Sequence, residues 1–449
     1  MNKATPPPHD PLVARAPPSA RQVAGVVAGN ALEFYDFLTY SFFAVQIGQT
    51  FFPSDNPTTS LLASLATFGA GFLTRPVGAL VIGRLADRVG RKPAMLLTFA
   101  LMGLAIVGLA LTPSYARLGV AAPILAIAFR LIQGFALGGQ VGPSTAFLVE
   151  AAPPGRRGLY VSLQYMSQDG AILCAGLMGV GLSSVMDAQA MRDWGWRIAF
   201  LVGALIVPFG LILRRGLTET LHHGPAGGRD EADAALGGSG TAQSYRVIAI
   251  LGLIMLASGT VVSYLLSYLT TYASATLHMP ARVAFGATVV LGLTGVCFDV
   301  VGGWLADRFG RKPVMMAPWA LLLVTTLPLF YAVAHYRSAV ALFGATALLQ
   351  VMSCITSSAV LVAVTEALPR RLRSGTLAVV YALAMSVFGG TAQFNVTWLT
   401  AATHNPLAPA WYMTVAVAIG LLAMLGLRET APRVTEGSIS ASLALRPNA

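Results

Sequence analysis

Twelve long apolar segments, separated by short polar joints, limit the folds open to this chain more than any other feature of its sequence. Each is long enough for an α-helix to cross the ~30 Å hydrocarbon layer of a bilayer, which takes about 20 residues. The segments lie at roughly 22–52, 59–82, 93–112, 119–150, 159–182, 196–214, 246–275, 284–304, 313–334, 338–367, 375–402 and 408–427. Only 10% of the residues are charged, where a soluble protein carries about 25%. We therefore predict an all-α membrane protein.

The basic residues indicate the orientation of the predicted helices. Of the 29 basic residues, 22 lie in the tails and joints on the side of the membrane that holds both termini, and five lie on the other side. Because cytoplasmic loops carry an excess of Lys and Arg, we place both termini in the cytoplasm. The net charge of +11 is then a sign of topology, and no nucleic-acid partner is expected.

Polar stretches divide the chain into predicted units. Residues 1–20 are Pro-rich and polar, which is typical of a disordered tail and unlike a cleavable signal peptide. Residues 215–245 are rich in Gly, Ala and charge, as in a flexible cytoplasmic linker. This linker separates a six-helix bundle at 21–214 from a second bundle at 246–428, and a cytoplasmic tail follows at 429–449.

Two charged phrases occur twice. "GRLADRVGRK" (Gly83–Lys92) returns as "GWLADRFGRK" (Gly303–Lys312), 220 positions later. "EAAPPGRRG" (Glu150–Gly158) is echoed by "EALPRRLRSG" (Glu366–Gly375), 216 positions later. Two features repeated at nearly one offset indicate a duplicated six-helix unit, an arrangement that marks secondary transporters with a substrate site at the midplane between the repeats.

Charged residues in these phrases form a predicted cytoplasmic gate. Asp87 and Asp307 lie beside basic residues of the same joint, and such pairs can latch neighbouring helices in one conformation and release them in another. Glu150 and Glu366 lie near arginines at the ends of their segments. The alternative is that these charges only anchor the joints at the membrane surface. The predicted gate residues are Asp87, Arg88, Arg91, Glu150, Arg157, Asp307, Arg308, Arg311, Glu366 and Arg373.

Several stretches resemble a known family. "GRLADRVGRK" resembles the loop 2–3 signature of the major facilitator superfamily, and "RLIQGFALGG" (Arg130–Gly139) resembles its span 4 signature. "GNALEFYDF", "GFLTRPVGA" and "WGWRIAF" are similar to stretches of its metabolite:proton symporters, which carry citrate, tricarballylate, 2-oxoglutarate, shikimate, proline or betaine. The resemblance covers about 20–430, and its second half is most similar to citrate–proton and 2-oxoglutarate permeases.

This resemblance implies a twelve-helix, two-repeat transporter that works by alternating access in a cytoplasmic (inner) membrane. The implied activity is proton-coupled uptake of an organic acid, with citrate or another di- or tricarboxylate favoured, by a monomer without cofactor or metal. Sodium is the alternative coupling ion. The alternative functions are a betaine, proline or shikimate-type carrier and, more remotely, a membrane sensor that does not transport. Motifs of an enzyme, such as a P-loop, a nucleophile elbow or HExxH, are missing from the sequence.

Charges inside the apolar segments are functional candidates, because burying a charge in a membrane is costly. Counted along the predicted helices, Glu33, Asp36 and Arg75 lie about 12 to 21 Å from the cytoplasmic face, and Arg130 about 30 Å, in the outer half. Arg75 is the predicted substrate anchor, since a guanidinium binds a carboxylate with two hydrogen bonds; alternatively, it neutralises Glu33 or Asp36. For Arg130 the resemblance implies coupling or gating, and a structural role is the alternative.

Uncharged polar residues extend the predicted site. Gln164, Tyr165 and Gln168 share one face of the fifth segment, and tyrosines recur every four residues in the seventh at 264, 268 and 272. The tyrosines either line a cavity or pack against neighbouring helices. The tenth segment likewise carries polar residues that either line a cavity or pack against neighbouring helices, namely Ser353, Thr356 and Ser357. The predicted substrate-binding residues are Arg75, Asn30, Tyr35, Gln164, Gln168, Tyr268 and Ser357.

One acid occupies an unusual place. The resemblance implies "GGE" in the fourth segment, but this chain has "GGQ" (Gly138–Gln140), and glutamine cannot carry a proton. Asp169, in the fifth segment, lies at the same depth, about 15 Å from the cytoplasmic face. We expect it to replace the missing glutamate, because an acid in an apolar setting can hold a proton at working pH. The alternatives are an ion pair with Arg75 or Arg130, or coupling by Glu33 and Asp36 alone.

Other titratable residues have smaller predicted parts. The proton-coupling candidates are thus Glu33, Asp36, Asp169 and Arg130. Asp299, in the eighth segment, is interpreted as a partner of the cytoplasmic latch. All six histidines fall in tails or joints, so proton coupling is left to carboxylates. The cysteines Cys174, Cys297 and Cys354 show no metal or disulfide spacing and are expected to be small buried apolar residues.

Overall fold

A computed structural model describes residues 20–89, 91–138, 148, 151–153, 155–215, 245–368 and 373–430. Within these ranges the chain forms twelve long helical segments and no strand. The helices are α1 (Ala20–Phe42, then Ala44–Phe51), α2 (Pro57–Leu73, then Arg75–Val89), α3 (Arg91–Leu111), α4 (Ala121–Gly138), α5 (Arg157–Val185), α6 (Trp196–Arg215), α7 (Tyr245–Thr271), α8 (Ala281–Phe309), α9 (Arg311–Tyr336), α10 (Ala339–Ala367), α11 (Arg373–Leu383, a π-helical turn Ala384–Gly389, then Gly390–Thr403) and α12 (Ala408–Gly426). Each overlaps one predicted apolar segment, so the all-helical prediction is confirmed.

The helices have the length and surface of membrane-spanning elements. Nine helices within the described ranges are long and apolar enough to cross a membrane. Large apolar side chains are exposed on their outer faces, among them Leu80, Val324 and Leu422, each more than half exposed. Water solvates such a surface poorly, whereas lipid acyl chains solvate it well. The outer faces are therefore suited to contact with lipid.

Local signals in the sequence set several helix ends. The side chain of Asn56 accepts a hydrogen bond from the backbone N–H of Thr58, and Pro57 occupies the first turn of α2, where its missing N–H costs nothing. Ser338 caps α10 in the same way. Gly310 turns the chain between α8 and α9 with a φ of 99°, which favours glycine. These short caps keep consecutive helices close and antiparallel.

Helices α1–α6 and α7–α12, the first and second halves of the chain, meet through closely packed glycines. Along the α5–α8 contact, a Cβ added to Gly158 would lie 2.5 Å from the carbonyl oxygen of Gly303. Between α2 and α11, a Cβ on Gly69 would overlap the carbonyl oxygen of Gly390. Such approach of two backbones is open only to glycine, and small residues commonly mark helix contacts in membranes.

The halves also touch at both ends of the bundle. One end, which we call the charged end, holds Asp307, whose carboxylate accepts hydrogen bonds from the start of α5. At the opposite end, Ser41 of α1 donates to Gln393 of α11 at 2.8 Å, and the ring of Phe43 lies 4.9 Å from that of Phe285. A central cavity lies between these two sets of contacts.

The cysteine prediction is wrong in two respects. Cys174 and Cys297 are exposed on helix surfaces. Cys354 is buried, but its thiol reaches a carboxylate, as described below. An apolar segment shows that a residue lies at membrane depth and does not show which way its side chain points.

Candidate functional site

A cavity of about 100 Å³ lies between the two halves. Its walls include apolar side chains such as Phe34, Leu291 and Met385. Polar groups from both halves converge on it, including Gln168, Asp169, Tyr264, Asp299, Gln350 and Ser357. A mostly apolar cavity with a few convergent polar groups is the usual form of a small-molecule site.

Arg75 lies next to this cavity but is not one of the residues that line it. It begins the second part of α2, where the helix is interrupted at Thr74. Its guanidinium carbon lies 4.3 Å from the ring centroid of Phe37 and 4.2 Å from that of Phe72. The guanidinium is also close to Tyr264, which lines the cavity. The buried Nε–H of Arg75 has no hydrogen-bond partner. Aromatic faces thus hold this cation and leave donor capacity for an anion.

A second buried arginine is tied to an acid through an amide. Arg130 donates to the Oε1 of Gln133 at 2.6 Å, and Gln133 donates to Asp36 at 3.0 Å. The Nε and one terminal nitrogen of Arg130, and one oxygen of Asp36, are buried without a hydrogen-bond partner. This chain of three side chains joins α1 to α4 and keeps unused polar atoms in the interior.

The predicted depth of Arg130 is wrong. Its guanidinium carbon lies 4.2 Å from the ring centroid of Phe37, the same ring that Arg75 contacts. The two arginines therefore share one level of the bundle rather than separate bands. Counting along the helix locates a Cα atom, whereas an arginine side chain spans several further ångströms.

Asp169 occupies the cavity wall at the contact between halves. It accepts hydrogen bonds from the amide of Gln350 at 3.0 Å and from the thiol of Cys354 at 3.6 Å. Asp299 of α8 lies beside it, with a carboxylate oxygen within 4.8 Å of one of Asp169. Its partners thus belong to the second half, in place of the predicted alternatives Arg75 and Arg130. Asp299, predicted to be a latch partner, lines the cavity instead.

The predicted substrate-binding residues divide into two groups. Gln168 and Ser357 line the cavity. Asn30 donates to Ser167 at 2.8 Å and joins α1 to α5, and the hydroxyl of Tyr35 donates to the carbonyl of Ala199 in α6 at 3.2 Å. For Asn30 and Tyr35 the predicted role is corrected, because neighbouring helices use their polar groups within the first half.

Two further predictions need the same correction. The backbone carbonyl of Gln164 accepts from Asn30, and its buried side chain lies outside the lining. Tyr268 accepts a hydrogen bond from Thr397 at 2.9 Å, which ties α7 to α11. The tyrosine row is therefore mixed, since Tyr264 faces the cavity while Tyr268 packs. Glu33 is buried in α1 and is likewise not part of the lining.

At the charged end, several predicted gate residues meet. Asp307 accepts from the backbone N–H groups of Gly158 and Leu159 at 2.9 and 3.0 Å, and pairs with Arg311 at 2.8 Å. Arg311 also reaches Glu366 at 3.2 Å. Asp307 thereby fastens the second half to the first turn of α5, where free N–H groups favour a negative charge.

Other predicted gate residues contribute less or cannot be placed. Arg157 lies 3.9 Å from Glu366 but is 42% exposed, so this pair contributes little. Arg308 is exposed and stacks on Trp304 of its own helix, which corrects its predicted place in the gate. Arg88 is exposed. Gln140 and Glu150, and the side chains of Asp87, Arg91 and Arg373, lie outside the described residues.

Sequence reasoning missed the residues that bridge these groups. Gln133 and Gln350 are amides within apolar segments, which is the signal that the sequence carries for them. Glu429, just after α12, accepts from the backbone N–H groups of Arg311 and Lys312, each at 2.9 Å. No sequence pattern pointed to Glu429, because its partners lie over 100 residues away.

Comparisons with known proteins identify the family and agree with the all-helical fold. The family model of the Major Facilitator Superfamily matches residues 27–392. The citrate-proton symporter of Klebsiella pneumoniae is 37% identical over 89% of each chain, and the alpha-ketoglutarate permease of Escherichia coli is 34% identical over 91% of this chain and 93% of the relative. A crystal structure of a D-xylose-proton symporter is similar with a TM-score of 0.73 at 19% identity, over 92% of this chain and 98% of that one, which shows the fold alone.

Proposed function

Because this chain belongs to the major facilitator superfamily, we propose that it is a proton-coupled symporter that takes up an organic acid by alternating access. The named functions of the relatives support this activity and favour citrate or another di- or tricarboxylate as the substrate. The bacterial relatives also support a multi-pass protein of the inner membrane.

The observation that carries the proposal is Arg75 beside the cavity between the halves. A transported anion needs a cation that can bind it and let it go. Arg75 is stacked on Phe37 and Phe72 and keeps an unpaired Nε–H, so a carboxylate that reaches it gains charge-assisted hydrogen bonds. Gln168 and Ser357 supply further polar contacts on the facing walls.

The orientation and the domains follow from the proposal. We place the charged end and both termini in the cytoplasm, on the strength of the Lys and Arg excess there. The two bundles are residues 21–214 and 246–428, joined by the cytoplasmic linker 215–245. Rocking of the bundles about the cavity would expose it to one side at a time. The gate residues Asp307, Arg311 and Glu366 hold the cytoplasmic side closed.

Uptake into proteoliposomes tests the function. Labelled citrate, 2-oxoglutarate, shikimate, proline and betaine are offered with an inward proton gradient, with a sodium gradient, and with neither. We expect a carboxylate to accumulate only with the proton gradient. Accumulation of betaine or proline would show that the protein is a compatible-solute carrier. Accumulation that depends on the sodium gradient would show that sodium, and not the proton, is the coupling ion. Saturable binding without uptake of any compound would show that the protein is a sensor.

A further inference from the structure

Two buried carboxyl groups, one from each half of the chain, meet at the edge of the cavity. Asp169 comes from α5 and Asp299 from α8, and they are 8% and 1% exposed. Their oxygens and the sulfur of Cys354 lie within 4.8 Å of one another. Two carboxyl groups this close can bond to each other only through a hydrogen, because ionised carboxylates only accept.

The backbone of α8 makes room for this contact. A Cβ added to Gly295 would overlap the carboxylate of Asp169, so the glycine forms a notch that receives the acid. Gln350 and Cys354, both from α10, direct an N–H and an S–H at the same oxygen of Asp169. One oxygen of Asp299 is buried without a donor from any other described side chain. The site thus holds one acid by two neutral donors and leaves one oxygen of the other without a donor.

Among the residues that the structure describes, the groups around the pair supply no full positive charge. The titratable groups that face it there are the thiol of Cys354 and the phenol of Tyr165, and Tyr381 of α11 lies next to Tyr165. Arg75 is near Tyr381. Two negative charges in this setting would repel each other at low dielectric, and pairs of adjacent carboxyl groups therefore commonly hold one proton between them.

We propose that Asp169 and Asp299 bind a single proton between them and that this shared proton, held across the contact of the two halves, is the one that is coupled to substrate transport. The inference rests on the proposed function. Without the proton the two acids repel, so the α5–α8 contact opens. With the proton the contact closes, and the cavity is sealed together with its substrate. Opening to water separates the acids, and the proton leaves to solvent.

The donors favour a proton over a metal ion. Gln350 and Cys354 offer hydrogens to Asp169, whereas a cation would need lone pairs from the same positions. The proton also explains why the acids come from different halves. If both acids belonged to one half, their proton binding would not depend on whether the two halves are in contact or apart.

Purified protein in proteoliposomes tests the inference through three variants: Asp169→Asn, Asp299→Asn and the double variant. Asparagine keeps the shape and can donate a hydrogen bond without a titrating proton. Asp55→Asn is the matched control, because Asp55 is exposed in the joint before α2. The membrane potential is clamped at zero with K⁺ and valinomycin. Each coupled proton then supports about tenfold accumulation per pH unit.

We expect all three variants to exchange labelled citrate for unlabelled citrate while their accumulation ratio in a pH gradient falls to about one. Asp55→Asn should accumulate like the wild type. Normal accumulation by Asp299→Asn together with loss in Asp169→Asn would leave a single coupling acid and overturn the shared pair. A wild type that neither exchanges nor accumulates any of the acids would instead refute the proposed function.

A measurement on the unmodified protein keeps the inference testable if the variants fail to fold. Calorimetric titration of the wild type with citrate, in buffers of different ionisation enthalpy, counts the protons taken up on binding. Uptake of up to about one proton, with a single maximum between about pH 5 and 8, supports the pair. Zero uptake throughout that range, or an effect of Zn²⁺ or Na⁺ in place of pH, overturns it.

Discussion

Replacing Asp307 by alanine should open the charged end of the bundle. The carboxylate of Asp307 accepts two N–H groups of α5, from Gly158 and Leu159, at 2.9 and 3.0 Å. Removing a helix N-cap costs about 0.5–2 kcal/mol, and water can replace part of the loss at this end. We take about 2 kcal/mol, since both bonds go to a charged acceptor, which shifts the closed-to-open ratio about 30-fold. Asp307→Asn keeps one acceptor and should shift it about fivefold.

Thiol labelling measures this shift. A reporter cysteine is placed at Ser162, which is fully buried at the α5–α8 contact near the charged end. The native cysteines Cys174, Cys297 and Cys354 are changed to serine, which keeps a donor beside Asp169. A maleimide is then added from the cytoplasmic side of inside-out vesicles. The labelling rate should rise in the order wild type, Asn, Ala, by the factors above until the open state predominates.

Two controls give the result its meaning. Arg308→Ala removes a charge from the same joint, but this residue stacks on its own helix and should change the rate less than twofold. A reporter at Ser64, buried within the first half, should stay unlabelled, because its labelling would mean unfolding. Equal labelling of Asp307→Ala and the wild type, or equal acceleration by Arg308→Ala, would refute the argument that the cap of α5 holds the halves together.

Three further outcomes are expected. Arg75→Lys keeps the charge but loses the two-pronged geometry, so citrate uptake should fall at least tenfold at unchanged expression, and near-normal uptake would remove this residue from the substrate site. Gly69→Ala should slow transport about tenfold by forcing α2 from the carbonyl of α11, whereas Gly83→Ala, which has nothing within 4 Å, should transport normally; equal rates for the two would contradict the close contact. Gln133→Leu removes the amide between a buried arginine and a buried acid and should cost about 3 kcal/mol in thermal unfolding, whereas Gln46→Leu, whose buried Oε1 has no partner, should cost less than 1 kcal/mol; the reverse order would mean that the amide bridge does not stabilise the fold.

The sequence was sufficient to predict the helices because a bilayer allows few backbone structures to cross it. A segment such as 284–304 must be helical at membrane depth, and α8 is found at Ala281–Phe309. The repeated phrases likewise assigned Asp307, Arg311 and Glu366 to one gate, although only the structure shows Arg311 between the two acids. What hydropathy cannot specify is rotation about each helix axis, which depends on the neighbours that pack against it.

The site shows this difference between depth and direction. Counting residues placed Asp169 at membrane depth and Asp299 near the cytoplasmic latch, and only packing shows that the two face each other across α5 and α8. The same limitation explains Asn30 and Tyr35, which the sequence assigned to substrate. Their polar groups hydrogen-bond to helices of the first half, and no period in the sequence separates a bonded polar group from an available one.

The cap of α5 by Asp307 has a consequence for synthesis of the protein. The ribosome makes Gly158 about 150 residues before the acid that accepts its N–H, and all of α6 and α7 are inserted in between. The first half therefore enters the membrane with the start of α5 uncapped and dependent on water. Expressed alone, this fragment should fray at that end, and co-expression with the second half should protect it from protease. Biogenesis and gating then depend on the same two hydrogen bonds.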